Sequence, residues 1–206
     1  MIIEMRTYNL KPGAIAEVEK RFAEALPARE KHSKLAAFWR TEIGPLNQVI
    51  QVWPYESFEQ RLAIRAAAVK DGTWPPKLVD FVVDQTSEIY IPAPFSPKLE
   101  PRQIGPIFEM RLYTVQTGAM PGVIERWGKH IEERQKLSPL VGAWYSEVGP
   151  LNKWVHIWAY KDVNERFAVR DASRKSGNWP PPGAPPGTLV KQENKIVVPA
   201  AFSPIR

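Results

Sequence analysis

Among the residues that could do chemistry, the first set is His156, Tyr113 and Arg111. His156 stands between Trp154 and Trp158 in Trp154-Val155-His156-Ile157-Trp158, so strand alternation puts all three rings on one face. With Tyr113 and Arg111 beside it, such a face could hold an electron-rich substrate that itself activates oxygen, His156 accepting the proton. The same imidazole could serve as an axial ligand to haem, or simply be a buried histidine bonded to a neighbour. A second set, Glu4, Arg6 and Tyr8, occupies alternate positions of one strand and can form a charge-assisted hydrogen-bonded ladder. Either a register-fixing ion pair or a ligand site would use it, since a buried charge must be paired in both cases. The chain has no cysteine and three histidines, which removes disulfides, iron–sulfur clusters and thiol mechanisms and leaves little for a metal site. No phosphate-binding glycine loop, nucleophile elbow, HExxH or paired-carboxylate spacing is present. No metal and no cofactor is therefore expected.

The elements that position these residues occur twice. Ile2-Ile3-Glu4-Met5-Arg6-Thr7-Tyr8 returns as Ile107-Phe108-Glu109-Met110-Arg111-Leu112-Tyr113, and the offset of 105 holds without a gap to Trp179-Pro180-Pro181. About 30 of roughly 75 paired positions are identical, far above chance for unrelated segments. The chain divides into a first repeat, 1–97, a proline-rich linker, 98–106, read as stiff and extended, and a second repeat, 107–206. Each repeat reads as a strand (Ile2–Tyr8), then a helix with the stripe Val18, Phe22 and Leu26, matched by Val123, Trp127 and Ile131. A hairpin, Ala37–Glu42 and Gln48–Trp53, bends at Gly44-Pro45-Leu46-Asn47. Ser57-Phe58-Glu59-Gln60 and Asp162-Val163-Asn164-Glu165 look like capping boxes. Each opens a second helix, the first expected to bury Phe58, Leu62 and Val69. A last strand is expected at Glu88–Ile91, with Lys195–Val198 as its counterpart. The order β-α-β-β-α-β is ferredoxin-like, an α+β class, and two such units can cover each other's bare sheet faces as an α/β barrel. Covering by a second chain is the alternative, and both can coexist in a homo-oligomer.

The string Glu4-Met5-Arg6-x-Tyr8…Gly13…Trp39-x-Thr41-Glu42-x-Gly44-x-Leu46-Asn47…Trp53-x-Tyr55…Arg61…Arg65…Trp74, repeated as Glu109…Trp179, resembles the NIPSNAP family over essentially the whole chain. The resemblance implies the dimeric α/β-barrel fold. Relatives on that fold include cofactor-independent monooxygenases and haem-binding or haem-degrading proteins. Bacterial tandem members carry no assigned biochemistry, and fold kinship by itself is only an analogy for function.

Strand alternation separates two faces. Ile3, Met5, Ile50 and Val52, with Phe108, Met110, Val155 and Ile157, are expected under the helices. Glu4, Arg6, Tyr8, Gln51 and Trp53, with Glu109, Arg111, Tyr113, Trp154, His156 and Trp158, are then expected to line the barrel interior. There they would form an apolar pocket for a small aromatic or isoprenoid-like ligand, or fill the barrel as packing. Trp74 and Trp179, beside paired prolines, are expected to anchor loops. His32, His130 and His156 have Leu137, Ala25 and Gln51 as repeat partners, which excludes a symmetric histidine-dependent site.

The net charge of +6 does not concentrate into a basic run with interleaved aromatics, so it reads as solvated surface rather than a nucleic-acid footprint. No apolar run is long enough to span a bilayer. The first residues already alternate as a strand, which leaves no targeting peptide and places the expectation in the cytoplasm.

Overall fold

The computed structural model describes every residue from Met1 to Arg206. The first repeat runs β1 (Ile2–Leu10), α1 (Ile15–Glu30), β2 (Ala37–Ile43), β3 (Gln48–Tyr55), α2 (Phe58–Lys70) and β4 (Val82–Pro92). The second runs β5 (Ile107–Val115), α3 (Met120–Gln135), β6 (Leu140–Val148), β7 (Lys153–Tyr160), α4 (Val163–Lys175) and β8 (Leu189–Pro199). Each repeat is thus β-α-β-β-α-β, with its four strands antiparallel. The strands close into one barrel in the order β1-β3-β2-β8-β5-β7-β6-β4. The edge strands of one repeat, β2 and β4, pair with β8 and β6 of the other, so neither sheet keeps a bare edge along its whole length.

Local chemistry explains the boundaries. Val18, Phe22 and Leu26 on α1 and Val123, Trp127 and Ile131 on α3 are buried, as their spacing predicts. The Ser57 side chain accepts from Gln60 N–H and that of Asp162 from Glu165 N–H. The returning bonds reach one residue further back than in a standard capping box, to Glu56 N–H and Lys161 N–H. The hairpin bend needs left-handed backbone at Gly44 (φ 119°) and Asn47 (φ 56°). Gly44 also passes so close to β8 that a Cβ there would stand 2.9 Å from that of Lys195.

Three expectations are corrected. The faces of the strands are reversed. Ile3, Met5, Ile50 and Val52 join Phe108, Met110, Val155 and Ile157, together with Trp39 and Trp144, in a cluster that takes residues from all eight strands and fills the barrel. Glu4, Gln51, Trp53, Trp154, His156 and Trp158 lie on the outer face, beneath the helices. Both faces are buried, so alternation separates them without saying which points inward. The middle of the lumen, packed by apolar side chains from eight strands, would leave a carboxylate unpaired, whereas the helices supply arginines. Secondly, α2 does not bury Phe58, Leu62 and Val69, which are 42%, 51% and 56% exposed. Arg61, Ile64, Arg65 and Ala68 face the sheet instead, at helical spacing. Thirdly, β4 and β8 begin about six residues before the expected starts, because their polar, exposed first halves still pair with β1 and β5.

The segment between the repeats is extended but not a free spacer. Arg102 N–H and Ile104 N–H donate to the carbonyls of Pro204 and Arg206, and Leu99 and Ile104 pack on the barrel core. No helix is long and apolar enough to cross a membrane.

These assignments separate two substitutions that look alike on paper. Trp144→Ala, inside the barrel, is expected to destabilise by about 3–5 kcal/mol. Leu62→Ser on α2 is expected to stay within about 0.5 kcal/mol. Urea unfolding midpoints at constant slope distinguish them.

Candidate functional site

The outer face of each repeat holds a buried carboxylate clamped by guanidinium groups. Glu4 accepts from Arg6 Nη1 (2.9 Å) on its own strand, from Arg61 Nη2 (2.6 Å) on α2 and from Ser87 Oγ (2.7 Å) on β4. Arg6 Nε–H donates in turn to Tyr8 Oη (3.1 Å), completing the expected ladder. The second repeat reproduces it. Glu109 accepts from Arg111 (2.7 Å), Arg166 (2.5 Å) and Asn194 (2.9 Å), and Arg111 Nε–H donates to Tyr113 Oη (2.5 Å). Burial alone would raise the Glu4 carboxyl, but hydrogen bonds from Arg61 and Ser87 and the charge of Arg6 outweigh it and hold the group at about 2. Glu109 is lowered by the same contest between burial and its arginines.

A further arginine from the first helix of each repeat completes the cluster. Arg29, almost fully buried, donates to Tyr55 Oη (2.9 Å) and Ser33 Oγ (2.7 Å), with its guanidinium 4.5 Å from the Trp53 ring. Arg134 donates to Tyr160 (3.2 Å) and Ser138 (2.9 Å), 4.0 Å from the Trp158 ring. Arg65 and Arg170 stand 3.9 Å and 3.7 Å from the two carboxylates.

Beside each clamp, between sheet and helices, lies a cavity. The second-repeat cavity is about 290 Å³, and Arg111, Tyr113, Trp154, His156 and Trp158 all line it, with Trp127 and Trp179. Trp127 sits 4.6 Å from the His156 ring and 4.5 Å from Trp179, centroid to centroid. The first-repeat cavity is about 790 Å³ and includes Arg6, Tyr8, Gln51, Trp53 and Trp74. Val49 and Phe22 replace Trp154 and Trp127 in the first repeat, so fewer ring atoms intrude there. Glu4 and Glu109 support the arginines from behind. The predicted site residues are therefore brought together in two homologous sets, outside the barrel lumen. Trp74 and Trp179 are wall residues as well as loop anchors. The sequence reading gave no site role to Trp127, Arg29, Arg134, Arg65 or Arg170; for the four arginines, recurrence at the same offset was the available signal.

His156 is 3% exposed. Trp158 Nε1–H donates to its Nδ1 (2.8 Å), and an indole can only donate, so Nδ1 carries the lone pair. Burial first, then the charges of Arg111, Arg134 and Arg170, push its pKa well below the ordinary value. The ring is neutral, with its proton on Nε2, and Nε2 has no partner. Gln51 repeats the arrangement: Trp53 Nε1–H donates to its Oε1 (3.2 Å), and its Nε2 has no partner.

Two ferredoxin-like repeats closed into one antiparallel barrel, with an arginine-clamped carboxylate and an aromatic-walled cavity outside each sheet, define a tandem α/β barrel of the dimeric type. The chain belongs to the NIPSNAP family, whose model matches residues 3–97 and 108–204. It is similar to the human protein NipSnap homolog 3A, 28% identical over 98% of this chain and 85% of that protein. A NipSnap homolog from Dictyostelium discoideum is 31% identical over 96% of this chain and 87% of its own length. A solved structure from Fusobacterium nucleatum, described as a candidate monooxygenase, aligns with TM-score 0.68 over 96% of this chain and 91% of that one. Its 12% identity shows a shared fold alone.

The clamps tie stability to pH in a defined direction. A carboxylate held below its ordinary value stabilises the fold fully above about 4.5, and that contribution drains as the pH falls toward about 2. Thermal unfolding midpoints should therefore drop across this window. Glu109→Gln should lower stability at neutral pH by about 3–5 kcal/mol, since it leaves buried guanidiniums without a counter-charge, and should flatten the acid drop. An unchanged acid profile in that variant would show that the clamp does not set it.

Proposed function

We propose that the protein binds a small molecule with a flat apolar or aromatic body in the second-repeat cavity, under α3 and α4 rather than inside the barrel. The observation that carries this reading is the convergence of Trp127, Trp154, Trp158 and Trp179 around one cavity of about 290 Å³. Four indoles on a concave wall offer planar contact area with little side-chain entropy to lose on binding. The first-repeat cavity supports the same role for a bulkier ligand.

The chemistry of His156 favours binding over the monooxygenase alternative. A base needs an available lone pair, and the one on Nδ1 is engaged by Trp158 in surroundings crowded with positive charge. Axial ligation of haem through Nε2 would require the other tautomer and would break that bond.

A neutral planar probe, 2-naphthamide, tests the reading through tryptophan fluorescence and calorimetry. It is expected to bind and to quench emission, and Trp179→Ala is expected to weaken binding about tenfold through the loss of one wall. No binding by the intact protein, or binding indifferent to Trp179, would overturn it. Oxygen uptake on addition of an electron-rich aromatic, lost in His156→Ala, would restore the enzymatic alternative.

A further inference from the structure

We propose that the ligand of each repeat carries an anionic head group, received by surplus guanidinium groups and by the free N–H of Gln51 or His156. This rests on the apolar-pocket reading above and adds the chemistry of the ligand's polar end.

The second-repeat cavity is lined by Arg111, Arg126, Arg134, Arg170 and Arg174 and by no aspartate or glutamate. In the cluster behind it, four guanidiniums, Arg111, Arg134, Arg166 and Arg170, surround the single carboxylate of Glu109. That carboxylate takes hydrogen bonds from Arg111 and Arg166. Arg170 approaches it only to 3.7 Å, and burial together with the charge of Arg111 lowers the Arg170 pKa, as expected for a cation short of counter-charge. Arg65 holds the same place in the first repeat, where the cavity also includes Arg6 and Arg29, with Asp80 at its rim loop. Such a surplus in a half-buried site is stabilised by an anion brought in from outside, most effectively through paired guanidinium N–H groups.

Gln51 and His156 make the assignment sharper. A glutamine amide and a neutral imidazole share little chemistry: one has no titration, the other no carbonyl. What they share here is an acceptor atom turned to an indole N–H and a donor nitrogen left over at the far end. Both are buried, both line their cavities, and both keep that nitrogen unpartnered. A buried donor without a partner is costly, and duplication has kept it in two chemically different side chains. A group that accepts hydrogen bonds satisfies the two sites equally, and a carboxylate satisfies the arginines as well.

The test compares 2-naphthoate with 2-naphthamide, equal in shape and differing in charge, by calorimetry on the full chain. Two naphthoates are expected per chain, each bound at least about tenfold more tightly than the amide, with a preference that shrinks as salt is added. Arg170→Met should weaken naphthoate at one site and Arg65→Met at the other, each about tenfold or more, and each by a larger factor than it changes binding of the amide. His156→Gln should retain naphthoate binding, because the first repeat already uses glutamine, whereas His156→Leu should weaken it about tenfold. Equal affinity for the two probes, or loss of naphthoate binding in His156→Gln as severe as in His156→Leu, would overturn the anionic head while leaving the apolar pocket intact. Failure of the amide to bind would overturn the pocket reading itself. Inorganic phosphate that competes with naphthoate would assign the head to phosphate esters as well as carboxylates; competition only by organic acids would confine it to carboxylates.

Discussion

A carboxylate that touches no solvent sits at the centre of each repeat, and the surrounding elements are arranged so that it stays ionised. Glu4 belongs to β1, but its partners come from α2 (Arg61) and β4 (Ser87), and Tyr55 of β3 donates to its second oxygen. Tyr55 also accepts from Arg29, which brings in α1. One side chain therefore joins five of the six elements of the repeat. A carboxylate in this position without cations would cost several kcal/mol and would protonate instead. With them, it fixes how the second helix lies on the sheet. That explains why α2 presents arginines inward and leaves Phe58 and Leu62 in solvent: the charged contact outranks the apolar one in setting the helix rotation.

Separating the charged face from the lumen also determines how the two repeats meet. The middle of the barrel interior is apolar and tightly filled, with Trp39 against Phe108 at 5.3 Å, because Glu4 and Glu109 with their arginines lie outside it. Closure through β2–β8 and β4–β6 then joins the repeats by backbone pairing and a shared core. Each ionic site is thereby left inside a single repeat. Divergence between the sites is correspondingly local. The carboxylate, four arginines and paired tyrosines are the same, while Phe22 and Val49 in one repeat face Trp127 and Trp154 in the other. The polar end of each cavity is preserved and the apolar end resized.

Much of this was legible in the sequence. The repeat, the β-α-β-β-α-β order, the helix stripes of α1 and α3, the hairpin bends and the Glu–Arg–Tyr ladder all follow from spacing and residue type. The direction of the faces did not, because a strand buried on both sides carries alternation without polarity of burial. The decisive clue lay in the second helix. Arg61 and Arg65 recur as Arg166 and Arg170, one helical turn apart and on one side, while Phe58 and Leu62 become Val163 and Phe167. Of the positions that face the sheet, the two arginines stay fixed between copies, while Ile64 and Ala68 become Val169 and Ser173. Arg61 and Arg65, like Arg166 and Arg170, therefore contact something that also stays fixed, and Glu4 with Glu109 is the matching carboxylate. The early starts of β4 and β8 were hidden for a different reason: those segments pair at the backbone while their side chains remain in water, so they carry no apolar signal.

The asymmetry between Gln51 and His156 first excluded a shared histidine function and left a one-sided catalytic role for His156 open. The structure turns the same asymmetry into a statement about equivalence. Both side chains take the indole N–H of the residue two positions ahead, and both hold a donor in reserve. An imidazole retained for proton transfer would need its pKa near the working pH, whereas this one is driven far below by burial and by the arginines that the clamp requires. The constraint that keeps Glu109 ionised is thus the one that keeps His156 neutral. A site under that constraint is suited to hold a negative charge delivered by a ligand, and poorly suited to carry a proton away from one.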